Sequence, residues 1–170
     1  MAQDDGVRAL FERIQREQGP AIARTLRSYA RTRVEREDLE QDVALALWTG
    51  LKSFRGERSE RTFALRVAHN QGWTLVARRR RRGVPETLHE EPSAEGPDPE
   101  ILAGLSERMR AVFMAIHRLP VGLRQVLVLS LEGLTHEEIA DVIGISVNNV
   151  AVRLSRARSE LRISEPKEST

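Results

Sequence analysis

Asn148, Asn149, Val152, Arg153, Ser155 and Arg156 lie within nine residues, in a run from Ser146 to Ser159 that holds no acidic side chain. These groups suit base-edge recognition: a guanidinium can bond guanine twice, an amide can pair with adenine, and a small apolar side chain can rest on a thymine methyl. A second set lies upstream. Phe54, Arg55, Arg58, Arg61, Asn70, Trp73, Arg78 and Arg79 surround or belong to a stretch, residues 61–85, with seven Arg and no acid. Guanidinium, amide and indole on one basic surface serve phosphate contact, base-edge hydrogen bonding and base stacking. The plainer reading of the Arg run 78–82 is a solvated helix end acting as a localisation signal or an electrostatic tail. Catalysis finds no comparable support. The four His (69, 89, 117 and 136) are scattered, neither an HExxH nor a phosphate-loop motif occurs, and His136-Glu137-Glu138 reads as the exposed first turn of a helix. No enzyme activity, cofactor or metal is expected.

The downstream set needs a helix-turn-helix to present it. Thr135 can cap a first helix, with Glu138 closing a capping box and Ile139, Ala140 and Ile143 inward. Gly144 supplies the turn. Ser146 can cap a second helix whose Val147, Val150, Leu154, Ala157 and Leu161 form one apolar stripe, leaving the polar set on the other side. An ordinary helical hairpin with a solvated face is the alternative. Two more amphipathic helices precede it: one from Ile101 to Ile116, closed by Leu119-Pro120, and one with Leu123, Val126, Leu127 and Leu131 as its core set.

The upstream set sits on a longer helical array. Val7, Leu10, Phe11 and Ile14 mark a first helix that Gly19-Pro20 should end, and Ile22, Leu26, Tyr29 and Ala30 mark a second. A third should run from about Asp38 to Leu51, with Leu39, Val43, Ala46 and Leu47 inward. Trp48 near its end reads as core or as a partner-binding anchor. A polar loop then leads into a long helix, about 61–82, with Phe63, Val67 and Ala68 inward and Arg66, Asn70, Trp73 and Ala77 along another stripe.

Charge separates the parts. Residues 1–82 carry eighteen basic against eleven acidic side chains, residues 83–100 none against six, and residues 101–170 nine against eight. A basic module followed by an acidic, Pro-rich connector suggests an anionic partner for the first and a solvated spacer or a cationic surface for the second. Cysteine is absent and the longest apolar runs are six residues, which points to a soluble, cytoplasmic protein with no membrane association. The expected fold is all-α: two small helical domains, 1–82 and 101–163, joined by a flexible acidic linker, 83–100, with a disordered tail, 164–170.

Both halves resemble something known. DLEQDVALALWTGLKSFRG followed by RTFALRVAHNQGWTLVARRRRR is similar to the second conserved region of bacterial sigma factors. LPVGLRQVLVLSLEGLTHEEIADVIGISVNNVAVRLSRARSELR resembles their fourth. The order and short separation resemble the extracytoplasmic-function type. That resemblance implies a non-catalytic subunit directing RNA polymerase to promoters. Asp38, Gln41, Asp42, Leu45 and Trp48 would bind the clamp helices of the polymerase largest subunit, and the second domain the flap of the second-largest. The 54–61 loop with Asn70 would receive the unstacked −10 strand, Trp73 and the helix carrying Arg78 and Arg79 would meet adjacent DNA, and the downstream set would read the −35 element. The linker would enter the RNA exit channel, and an anti-sigma factor is a family partner. Three departures bear on promoter sequence: Asn148-Asn149 stands where Gly-Thr is usual and Ala151 where a cation follows, Phe63 replaces Trp, and Thr74 replaces Asp. Losing the cation should lower the salt slope of binding by about one unit. The competing function is a stand-alone helix-turn-helix transcriptional regulator that works without polymerase.

Overall fold

In the computed structural model the described residues are 2–83 and 102–163. Among them the secondary structure is helical with no strand: α1 (Ala2–Arg27), α2 (Arg33–Leu51), α3 (Glu60–Arg81), α4 (Glu107–Arg118), α5 (Val121–Leu131), α6 (His136–Ile143) and α7 (Val147–Ile163). The linker reading from Val84 onward, and the tail reading, fall outside the described residues.

The expected break at Gly19-Pro20 does not occur, and α1 runs straight through Pro20. A proline inside a helix forfeits a hydrogen bond and crowds the preceding turn, at a cost of about 3 kcal/mol. Ile22 and Leu26 beyond it are buried on the same face as Ile14. Each contributes about 1.5–3 kcal/mol by leaving water, so packing outweighs the defect. Helix α2 begins five residues before the expected Asp38, because Thr32 accepts the Glu35 N–H at 3.2 Å. The Glu35 carboxylate in turn accepts from the Arg31 N–H at 2.8 Å. Helix α4 starts later than expected, since Gly104 is left-handed (φ 83°) and Ser106 provides the cap.

Two inward faces also differ in register. In α3 the buried residues without a polar side chain are Ala64, Leu65, Ala68, Gly72 and Val76, with Phe63 and Val67 only partly covered. Small side chains four apart let α3 close on α1, where Tyr29 lies over Gly72 and bonds His69 Nδ1 through its hydroxyl at 2.7 Å. In α5 Leu129 is buried and Leu131 is 67% exposed, the reverse of the expected assignment.

A single apolar cluster extends from Ile14 on α1 through Leu47 and Leu65 to Val126, Ile139 and Leu154 in the second half. Helix α6 lies across α3, and α5 touches α1. Burial lowers the pKa of His69 to about 4, with Arg66 adding to the effect, and that of His117 to about 3, with Arg124 adding to it. Both imidazoles are therefore neutral in the folded chain at pH 7. A depressed folded-state pKa makes the unfolded chain the better proton acceptor, so stability should fall as pH drops from about 6.5 toward 4. Carboxylates held below their usual range act only lower down. A denaturant midpoint equal at pH 7 and pH 5 would contradict two buried neutral histidines.

Candidate nucleic-acid interface

The downstream half builds its display as the residue order requires. Thr135 accepts the Glu138 N–H at 3.2 Å while the Glu138 carboxylate accepts the Thr135 N–H at 2.9 Å, so the capping box is complete. Gly144 is left-handed at φ 79°, and its N–H reaches the Ala140 carbonyl. Ser146 Oγ then accepts the Asn149 N–H at 3.2 Å and starts α7. Val150, Leu154 and Ala157 are fully buried. Their burial fixes the rotation of α7 and turns Asn148, Asn149, Val152, Ser155 and Arg156 to the surface, with Arg153 partly covered. Arg153 Nε donates to Asn149 Oδ1 at 3.0 Å. With that oxygen engaged, Asn149 offers its amide hydrogens, so two-point pairing with adenine requires Arg153 to let go. Burial also lowers the pKa of Arg153.

Upstream, Phe54 packs its ring on Phe63, with centroids 4.7 Å apart. This anchors a loop that turns at Gly56 (φ 74°) and leaves Arg55 and Arg58 exposed. Asn70 and Trp73 emerge from α3 off its buried stripe, Trp73 with 37% of its surface free. Thr74, at the position of a common Asp, spends its hydroxyl on the Asn70 carbonyl at 2.9 Å. Arg78 is exposed. Arg79 is not: it is buried, bonds the Tyr29 carbonyl at 2.9 Å and makes a two-point pair with Glu35. Its guanidinium is committed inside the first half, where it ties α3 to the start of α2. Glu35 is half-buried; desolvation alone would raise its pKa, but the bonds from Arg79 and from the backbone N–H groups hold it below the usual carboxylate range.

A third patch lies on α2. Asp38, Gln41, Asp42 and Leu45 share one face at spacings of three and four, and Leu45 is 68% exposed beside a shallow depression shared with Thr49, Gly50 and Arg78. Trp48 stands between the two readings of it: it is partly buried edge-on against Phe11, centroids 5.6 Å apart, with Lys52 Nζ 5.9 Å above its ring.

Sequence reasoning missed how the two halves meet. Arg58 makes a two-point pair with Asp141 on α6, and Arg66 donates to the same carboxylate and to the Asp141 carbonyl, each at 3.1 Å. Arg24 grips the Glu132 carboxylate at 2.5 and 2.9 Å, and Arg61 donates to the Glu132 carbonyl. Asn70, Trp73 and Arg153 line one cleft of about 340 Å³ between the halves, with Ile143 and Ile145. No local pattern signals pairs such as Arg58 and Asp141, which are 83 residues apart.

Comparison with known proteins bears on the whole arrangement. A family model described as sigma-70 region 2 matches residues 14–82, and one described as sigma-70, region 4 matches residues 109–161. The chain is 30% identical to the RNA polymerase sigma factor CnrH of Cupriavidus metallidurans over 92% of its own length and 86% of that protein's. It is 32% identical to the ECF RNA polymerase sigma-E factor of Haemophilus influenzae, covering 71% of this chain and 69% of the relative. Among solved structures, CnrH in complex with the cytosolic domain of CnrY superposes with a TM-score of 0.69 at 24% identity, covering 95% of this chain and 91% of that one. The sigma factor RpoE of Bartonella quintana, in complex with the anti-sigma factor NepR, gives 0.71 at 22% identity, covering 90% and 94%. Those two likenesses establish the shared helical fold.

Proposed function

The chain belongs to the sigma-70 family, as an RNA polymerase sigma factor of the extracytoplasmic-function type, and on that premise we propose how its two halves divide promoter recognition. The first domain, 1–82, binds the clamp helices of the polymerase largest subunit through Asp38, Gln41, Asp42, Leu45 and Trp48. It captures the −10 strand with Phe54, Arg55, Arg58, Arg61, Asn70 and Trp73, and Arg78 meets adjacent phosphates. The second domain, 101–163, reads the −35 duplex through Asn148, Asn149, Val152, Arg153, Ser155 and Arg156 and rests on the flap of the second-largest subunit. The segment 83–100, with six acids and no cation, suits the positively lined path meant for RNA.

The subunit has no chemistry of its own on this account. Unpairing and unstacking cost a few kcal/mol per base, so a site open only to flipped bases turns binding free energy into strand separation. Joining two small modules raises the effective concentration of the second once the first is engaged. The observation that carries the proposal is the α7 display: an acid-free polar face held outward by three fully buried residues behind a capped left-handed turn. The two solved neighbours are recorded with anti-sigma partners, and a partner of that class is proposed here as well. No described helix is long and apolar enough to cross a membrane, in keeping with the proposed place in the cytoplasm.

Gel shift on promoter fragments separates the readings. Specific retardation is expected with core polymerase and only weak, sequence-indifferent binding without it. Tight specific binding by the chain alone would favour the regulator. Within the −35 set, Arg156→Ala is expected to relax choice at one base pair about tenfold, given about 1–3 kcal/mol for a good bidentate contact. Selection from a pool randomised at that element reads this directly; an unchanged preference would remove Arg156 from the reading face.

A further inference from the structure

We propose that the cleft between α3 and α7 is a binding site for a free purine nucleoside monophosphate, with the base stacked on Trp73 beside Asn70 and Gln125 and the phosphate on Arg153. The roles given above to Trp73, Asn70 and Arg153 make such a nucleotide a competitor of promoter DNA, and only that consequence rests on the proposed function. The site itself stands on the make-up of the cleft.

Four parts of the chain meet around a volume of about 340 Å³. Helix α3 supplies Asn70 and Trp73, α5 supplies Gln125, the end of α6 and the turn after it supply Ile143 and Ile145, and α7 supplies Arg153. No carboxylate is among the residues that line it. Small-molecule clefts run from about 300 to 1,000 Å³, so this one suits a single nucleotide rather than a run of them.

Each wall has its own task. Trp73 keeps 37% of its surface free, and an indole face in a confined space is a stacking platform for a base. Ile143 and Ile145 add apolar surface to the cleft. Asn70 stands three residues before Trp73 on the same helix, so its amide lies beside the indole and meets the edge of a stacked base with a donor and an acceptor. Gln125 is the telling residue. It is 4% exposed, yet its Nε2 has no hydrogen-bond partner among the described residues. A buried donor without an acceptor is costly, and its presence calls for a partner that the chain does not itself supply. A purine has two polar edges, one for each amide, and a larger stacking face than a pyrimidine. Arg153 completes the set. Burial lowers its pKa with no acid to offset the effect, and its Nε is spent on Asn149, which leaves the terminal nitrogens for an anion. One cation matches one phosphate; a di- or triphosphate would bring charges that nothing in the cleft pairs.

The consequence reaches both DNA-binding faces. A Trp73 already covered by a free base cannot stack a base of the −10 strand, and an Arg153 holding a phosphate is withdrawn from the −35 duplex. One small ligand therefore acts on both elements at once.

The test titrates the full chain by calorimetry with adenosine monophosphate and guanosine monophosphate, and with the matching nucleosides, orthophosphate and a single-stranded deoxyadenosine hexanucleotide for comparison. Trp73 emission is read in parallel in a Trp48→Phe chain, where Trp73 is the only indole. The expected result is saturable binding of one purine monophosphate per chain with quenching of Trp73, the nucleoside about tenfold weaker, and no quenching by orthophosphate. Gln125→Met keeps the length and bulk of the side chain and removes the donor; it should weaken nucleotide and nucleoside alike by about tenfold. Arg153→Gln should bring the nucleotide down to the nucleoside's affinity and leave the nucleoside unchanged. This second variant carries the test if melting curves show that Gln125→Met does not fold. Absence of saturable binding at millimolar nucleotide, or binding indifferent to both substitutions, would overturn the proposal. So would a hexanucleotide that binds more tightly than the monophosphate with the same dependence on Gln125, since the cleft would then belong to the strand. None of these readouts involves polymerase, so their failure leaves the assignment of the two halves standing, and failure to direct initiation would not disturb the nucleotide site.

Discussion

Replacing Gly72 by Ala is expected to destabilise the folded chain by about 3 kcal/mol and to lower its thermal midpoint by roughly 6–12 °C. A Cβ at that position would stand 2.4 Å from Tyr29 Cδ2, 2.5 Å from Cγ and 2.7 Å from Cε2. These are atoms of the ring body, with no flexible end to swing aside. Tyr29 is buried and its hydroxyl is bonded to His69 at 2.7 Å, so moving the ring breaks that bond inside the seam between α1 and α3. The same Tyr29 contributes the carbonyl that Arg79 holds, which carries the damage to the start of α2. Circular dichroism melts of the variant, of Tyr29→Leu and of the pair would test this. The two changes should be strongly non-additive, the double variant losing less than the sum. Simple additivity would mean that the close approach is not what makes Gly72 necessary.

Asn70→Ala should reduce open-complex formation on a fully paired promoter by about thirtyfold, since losing one group that holds a flipped base forfeits part of a cost of a few kcal/mol. On a template already unpaired across the −10 element the deficit should shrink to a few-fold. Core binding should not change, because Asn70 lines the cleft with Trp73 and Arg153, whereas α3 reaches the depression beside Leu45 through Gln71 and Arg78. Permanganate footprinting of unpaired thymines on the two templates separates opening from binding. Wild-type behaviour on both would take Asn70 out of the strand-capturing site, and an equal loss on both would make its role one of docking alone.

Features legible in the sequence were those fixed by short-range chemistry. Thr135 with Glu138, Gly144 and Ser146 announce two helix starts and a turn, and the structure places every one of them as the spacing requires. Of the expected apolar stripe, Val150, Leu154 and Ala157 are buried and set which side of α7 faces out, whereas Val147, at the first turn of the helix, is 40% exposed. Pro20 misled, because a local rule met a helix whose burial on both sides of the proline exceeds the defect. The early start of α2 was available in Thr32 and Glu35, a cap-and-carboxylate signal spaced as in α6 but hidden among charged residues. Arg79 was inseparable from Arg78 by sequence, since one belongs to solvent and the next to Glu35 only once α2 and α3 are packed. The meeting of the halves left no trace in periodicity. Ion pairs formed across some eighty residues depend on tertiary geometry that no window of sequence contains.

Everything functional here depends on polymerase taking its choice of start site from this chain. The direct measurement is run-off transcription with purified core polymerase on a library of randomised promoters, with start sites mapped by sequencing the transcripts. Adding the chain should concentrate initiation at positions preceded by a shared pair of elements, one within reach of each half. A start-site distribution identical with and without it, on every template in the library, would contradict the account.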